Sequence, residues 1–167
     1  MIKIRLEQEA DRKVIHKLTT EAFAGRPFSD GDEPDLIDRL RKIGMLSLSL
    51  VALDGSRIVG QITFSPAGIT SGSGPWFALG PVSVLPERQG EGIGSLLINE
   101  GLAEIENQNA LGCILTGNPV YYRRFGFEAS DANCPENEQE EHFMVKLLKS
   151  ENPIGRFSFQ NTFYGAA

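Results

Sequence analysis

Hydrophobic spacing changes within the first 24 residues. Ile2, Ile4 and Leu6 alternate with polar neighbours and predict an opening strand with one apolar face. From 11 to 24 the spacing becomes helical, at Val14, Ile15, Leu18, Ala22 and Phe23, and Gly25-Arg26-Pro27 stops the helix. Residues 28–34 read as a polar loop rich in acid, with Asp30, Asp32 and Glu33. Leu36, Ile37, Leu40 and Ile43 then mark a second short helix closed by Gly44.

Strand patterns follow. Residues 46–53 are largely apolar, and Asp54-Gly55-Ser56 is a hairpin signal before a strand over 57–65. Ser71-Gly72-Ser73-Gly74-Pro75 predicts a flexible turn into a strand over 76–85. Past a glycine-rich loop, Ile93, Leu96, Leu97, Leu102 and Ile105 repeat as a helix of roughly four turns. Cys113-Ile114-Leu115-Thr116 reads as a buried strand, 120–125 as a short helix and 142–148 as a further strand. Phe157, Phe159 and Phe163 suggest a terminal strand burying one face on the domain or on another subunit. The acidic stretch 131–141 is too short for a domain boundary and reads as a surface loop. With no repeat and no linker, the expectation is a single α/β domain with a mixed sheet over residues 1–167.

Composition narrows the class. A chain of 167 residues, 41% hydrophobic and 23% charged, can bury a substantial core. A formal net charge of -6 argues against a nucleic-acid partner, which needs a basic surface, and suits a cationic acceptor such as an amine. Cys113 and Cys134 lack metal-ligand spacing, and neither His16 nor His142 has a companion pattern for a metal site, so no metal is expected. Neither a signal peptide nor a membrane span is visible, which points to the cytoplasm.

Chemistry concentrates at Val82-Ser83-Val84-Leu85-Pro86-Glu87-Arg88-Gln89-Gly90-Glu91-Gly92-Ile93-Gly94-Ser95, where an apolar strand passes through glycines into a helix. A helix N-terminus offers unpaired N–H groups and partial positive charge, and glycines let a phosphate approach them. Arg88 adds a candidate phosphate contact, whereas Glu91 opposes one unless it points to solvent. A P-loop is excluded because no lysine follows Gly94. A dinucleotide fingerprint fits poorly, since its third glycine comes one position too soon. By itself the cluster also fits a tight strand-to-helix turn that binds nothing.

Gln89-Gly90-Glu91-Gly92-Ile93-Gly94 resembles the Gln/Arg-x-x-Gly-x-Gly/Ala segment of the GNAT acetyltransferases. Ala78-Leu79-Gly80-Pro81 and Asn118-Pro119-Val120-Tyr121-Tyr122-Arg123-Arg124-Phe125-Gly126-Phe127 look most like the family's YhbS-like bacterial branch. The resemblance implies a core over 1–130 with a mostly antiparallel sheet, a splayed parallel strand pair and flanking helices, followed by C-terminal strands and a tail over 131–167. It implies acetyl-CoA as cosubstrate, its pyrophosphate on Gln89, Gly90, Glu91, Gly92, Ile93, Gly94 and Ser95, and its pantetheine arm along Val82, Ser83 and Val84. Pro81 gives separate support for the splay, because a residue without an N–H interrupts a strand ladder.

Acyl transfer from a thioester needs a neutral nucleophile, a polarised carbonyl and a proton for the leaving thiolate. Tyr122 matches the segment where the family often places its general acid, with Tyr121 as second choice; both also fit plain aromatic packing beside Phe125 and Phe127. Asn118 stands four residues before Tyr122, whereas the family's cofactor-side asparagine stands seven before, so Asn118 is a cofactor contact only if the shorter connection allows it. Glu21, Asp32, Glu33 and Asp35 are candidates for a general base, none singled out. The reading is direct acetyl transfer to a primary amine of a small molecule or peptide. Alternatives are a non-catalytic acetyl-CoA sensor and a transferase of longer acyl groups, and a homodimer is left open.

Overall fold

The computed structural model describes residues 1–72 and 74–165; Ser73, within the turn expected at 71–75, lies outside the described residues. The strands are β1 (Ile2–Leu6), β2 (Leu48–Asp54), β3 (Arg57–Ile69), β4 (Trp76–Val84), β5 (Gly112–Thr116), β6 (Glu128–Ala129), β7 (Phe143–Leu147) and β8 (Phe157–Ser158). The helices are α1 (Arg12–Phe23), α2 (Glu33–Lys42), α3 (Ile93–Asn107) and the single turn α4 (Pro119–Tyr122). Strand order is β1-β2-β3-β4-β5-β7-β6, with β8 on β3. β4 pairs with β5 in parallel, and β1/β2, β2/β3, β5/β7 and β6/β7 are antiparallel. This is the mixed, mostly antiparallel α/β sheet that the sequence predicts.

Two compact units share the chain. The first holds 1–64, 80–101 and the residues from 161 on; the second holds 65–79 and 102–160. In the first, α1 buries Ile15, Leu18, Thr19 and Ala22, one stripe at helical spacing, while Val14 stays exposed. Leu6, expected on the apolar face of β1, is 61% exposed because β1 is an edge strand. Behind it lies a buried polar chain. Gln61 Nε2 donates to Ser49 Oγ (3.1 Å) and Thr63 Oγ1 (2.7 Å), and Ser49 Oγ donates to Glu7 (2.8 Å). Arg41 holds the same Glu7 through two N–H groups at 2.7 and 3.1 Å. The Gln61 NH2 and the Ser49 and Glu7 side chains stay inside because they find partners, whereas Gln61 Oε1 has none among the described residues.

In the second unit the β4/β5 ladder pairs Trp76, Phe77 and Ala78 with Gly112, Cys113 and Ile114. Trp76 meets Phe157 edge-on at 4.7 Å, and Phe143 contacts Phe157 and Phe159. The terminal strand expected from three alternating phenylalanines shrinks to β8, two residues paired with Gly68 and Ile69 of β3. Beyond it, the turn Asn161–Tyr164 is pinned within the first unit, where Arg39 donates to the hydroxyl and the carbonyl of Thr162, both at 2.8 Å. The stretch 131–141, expected as a surface loop, buries Asn133, Cys134 and Pro135. Asn133 Nδ2 donates to the carbonyls of Pro153 and Gly155, an attachment invisible in local sequence.

Candidate active site

The loop between β4 and α3 takes its shape from glycine backbone. Gly90 and Gly92 have φ of 82° and 84°, the left-handed region that a side chain disfavours, and a Cβ on either would meet nothing within 4 Å. Conformation, not crowding, therefore requires glycine at both. The first helical bond of α3 here runs from Leu96 N–H to the Gly92 carbonyl at 3.1 Å. The N–H groups of Ile93, Gly94 and Ser95 come before it and have no acceptor inside the helix. They follow directly on two positive-φ glycines, the kind of helix start whose main-chain donors suit an anion in general.

The side chains around the loop are committed elsewhere. Arg88 does not project as an isolated cation. Its Nε meets both Glu91 oxygens (3.1 and 3.0 Å), and its Nη1 meets Asp54 (3.0 Å). Glu91 is exposed and turned onto Arg88. Gln89 is bracketed at both ends of its amide: Nε2 donates to the Val84 carbonyl at 3.1 Å, and Oε1 accepts from Arg26 at 2.6 Å.

Along β4, Val82 and Val84 are half-buried and Ser83 is buried, its Oγ 3.4 Å from Thr19 Oγ1. The ladder to β5 ends at Ala78 and Ile114, although β4 continues to Val84. Pro81, which has no N–H to offer, lies in that continuation. Leu85 N–H closes the strand by donating to Val59 of β3 at 3.0 Å.

Tyr122 and Asn118 belong to the second unit. Asn118 caps α4: its side-chain oxygen accepts from Val120 N–H at 3.0 Å, and its carbonyl accepts from Tyr121 and Tyr122. The Tyr122 ring sits edge-on to Tyr121 (5.1 Å) and Phe127 (6.0 Å) and tilted against Phe125. Gly117 lies beneath it, where a Cβ would fall 2.7 Å from Tyr122 Cε2. Among the described residues the Tyr122 hydroxyl has no hydrogen-bond partner. Burial, with lesser contributions from Tyr121 and Cys113, pushes the phenol pKa above its ordinary 10.0. Cys113, fully buried, has its thiol pushed up by the same loss of water, which keeps it an inert core residue.

Each acid weighed as a general base has a partner. Asp32 receives two N–H groups of Arg39 (3.0 and 2.7 Å), and Glu33 accepts from Ser29 Oγ at 2.5 Å. Glu21 is 4.0 Å from Lys17. Asp35 and Asp38 flank His16 at 3.1 and 3.7 Å, companions that only the packing of α1 on α2 supplies. Such exposed ion pairs are ordinary surface features. Arg26 reaches the loop from 63 residues away in sequence, and no local pattern marks it as a loop contact.

The fourth strand of a mixed sheet thus leads through positive-φ glycines into a helix whose first N–H groups have no acceptor within it. Residues 3–130 match the family model for the acetyltransferase (GNAT) domain, and the chain belongs to that family, which makes it an acyltransferase. It is 30% identical over 135 residues to YhbS of Escherichia coli K12, described as an uncharacterised N-acetyltransferase, a match covering 78% of this chain and 81% of that one. Its fold is similar to a GNAT family acetyltransferase from Brucella melitensis solved with acetyl-CoA, at 39% identity, a TM-score of 0.87 and 98% coverage of both chains. It is also similar to the E. coli YhbS structure solved with CoA, at 28% identity and a TM-score of 0.88, covering 98% of this chain and 92% of that one. Among the described residues, no helix is long and apolar enough to cross a membrane.

Proposed function

We propose that the protein transfers an acetyl group from acetyl-CoA directly to a primary amine of a small molecule or a peptide in the cytoplasm. The observation that carries the reading is the loop: Gly90 and Gly92 at positive φ aim it at the open N–H groups of Ile93, Gly94 and Ser95. Relatives solved with acetyl-CoA and with CoA agree with that ligand. When bound, acetyl-CoA supplies the activated acetyl thioester.

In this reading residues 89–95 bind the pyrophosphate through main-chain amides, with the side chains of Gln89 and Glu91 shaping the loop. Backbone groups of Val82, Ser83 and Val84 meet the pantetheine arm, and an N–H near Val82 polarises the thioester carbonyl. Asn118 spends its side-chain oxygen on the α4 cap and keeps its NH2 for the cofactor. Tyr122 donates to the departing sulfur. Its unpaired hydroxyl is available, and its raised pKa keeps it protonated at neutral pH. The same shift makes it a weaker acid, so it acts first as a hydrogen-bond donor. As the C–S bond breaks, the thiolate, with an ordinary pKa of about 8.5, leaves with the electron pair and Tyr122 passes it a proton. Tyr122 is restored by the proton that the attacking amine loses in becoming the amide.

A second reading, a non-catalytic acetyl-CoA sensor, is favoured by one observation: Glu21, Asp32, Glu33 and Asp35 all have partners, which leaves no ready base. Thioester consumption measured against a panel of primary amines separates the two. An amine-dependent release of CoA supports the transferase; CoA binding with no turnover on any amine supports the sensor.

A further inference from the structure

The charge balance around the loop is unfavourable to its ligand. Arg88 is shared between Asp54 and Glu91, which leaves that trio with one net negative charge, and Arg57 is spent on Glu87 at 2.8 Å. Arg88 and Arg57 therefore add little net positive charge for a multiply charged pyrophosphate beyond the main-chain dipoles. Among the described residues, Arg26 is a cation that touches the loop and stands outside this balance. Arg26, in the turn after α1, forms no ion pair among the described residues, and its one side-chain partner is the neutral amide of Gln89.

The placement of Arg26 is set by its backbone. Its N–H donates to Phe23 and its carbonyl accepts from Ser29, both at 3.1 Å, so the turn is fixed at both ends. Its Nη2 reaches Gln89 Oε1, and the other end of that amide holds the Val84 carbonyl. A guanidinium has five N–H donors in a planar fork, and one bond to Gln89 leaves enough for a bidentate phosphate contact without breaking the bracket. We infer that Arg26 is a further cosubstrate-binding residue, a cation from the α1–α2 connection that clamps the pyrophosphate at the 89–95 loop. The inference rests on the acetyl-CoA reading and deepens it. Arg26 takes the role that the chain position of Arg88 suggests and that Asp54 and Glu91 deny it.

The test is equilibrium titration of the full chain with CoA, 3′-dephospho-CoA and pantetheine, for the parent, Arg26→Gln and Arg26→Lys. Gln keeps a donor for Gln89 and removes the charge; Arg26 is exposed, so folding is unaffected. The clamp predicts CoA and 3′-dephospho-CoA weakened by the same factor, about tenfold, with pantetheine unchanged and partial recovery in the Lys variant. In turnover, KM for acetyl-CoA rises while kcat holds. An Arg26→Gln chain that binds CoA within about twofold of the parent overturns the clamp. So does an equal loss for pantetheine, which marks a merely structural role, or a loss confined to CoA, which moves the contact to the 3′-phosphate. A parent that binds no CoA overturns the acetyl-CoA reading, and the clamp with it.

Discussion

The loop at 89–95 and the aromatic cluster around Tyr122 are opposite kinds of site. The loop is largely exposed, and Gly90 and Gly92 have empty space where a Cβ would be. Its sequence is explained by backbone shape and by donors left open. Tyr122 is wedged among Tyr121, Phe125 and Phe127 over a glycine that leaves it room. Packing explains its ring completely and its hydroxyl not at all. What packing leaves over differs between the two regions: helix-start amides in one, and in the other a phenol hydroxyl with no protein partner among the described residues.

That contrast breaks first at Gly92. A β-branched residue at φ 84° is strained and covers the open amides, so Gly92→Val is expected to lower acetyl-CoA kcat/KM by at least about 100-fold. Steady-state kinetics check this, and circular dichroism confirms that the fold persists. At Tyr122, removing only the hydroxyl should leave packing intact. Tyr122→Phe is expected to reduce kcat by about 100-fold, with CoA affinity and neutral-pH Tm nearly unchanged. The same variant reads the burial. The folded phenol pKa is raised above 10.0, so its stabilising share is complete below pH 10.0 and is lost as pH rises through the raised value. Denaturant melts above pH 10.0 should therefore show the parent losing stability that the Phe variant keeps.

The smallest effect sharpens the comparison from outside both regions. Asp11, 9% exposed at its side chain, accepts from Arg5 at 2.6 and 3.1 Å and from Gln8 N–H at 2.7 Å. The Arg5 bond chiefly, opposed by burial, holds its pKa below 3.8. Its stabilisation is thus present above pH 3.8 and lost as pH falls through the lowered value. Asp11→Asn is expected to cost about 1 kcal/mol at pH 7, since Arg5 is partly exposed and screened, with no change in CoA affinity. In melts against pH, its deficit should shrink in acid.

What was legible in the chain follows the range of the interactions. Helical spacing at Ile15, Leu18 and Ala22 and the glycines at 90 and 92 are local signals: the first three are buried along α1, and both glycines take positive φ. β3 runs four residues beyond its apolar pattern, to Ile69, because β8 pairs with its end, and the two residues of β6 carry no pattern of their own. Around the site, the missing information is which charges are spent. Arg88 looks like a phosphate ligand until Asp54, 34 residues earlier, is brought to it. Asp32 and Glu33 look like bases until Arg39 and Ser29 engage them. Arg26 is silent in sequence and meets the loop only through the fold.

The central claim is that the 89–95 loop holds acetyl-CoA, and a thermal shift tests it most directly. With acetyl-CoA at about 100 times its Kd, the native state gains about 2.7 kcal/mol, a rise in Tm of roughly 5–10 °C for a chain of this size. The account predicts that rise in the parent and its loss in Gly92→Val. An unchanged Tm in the parent at saturating acetyl-CoA would contradict it.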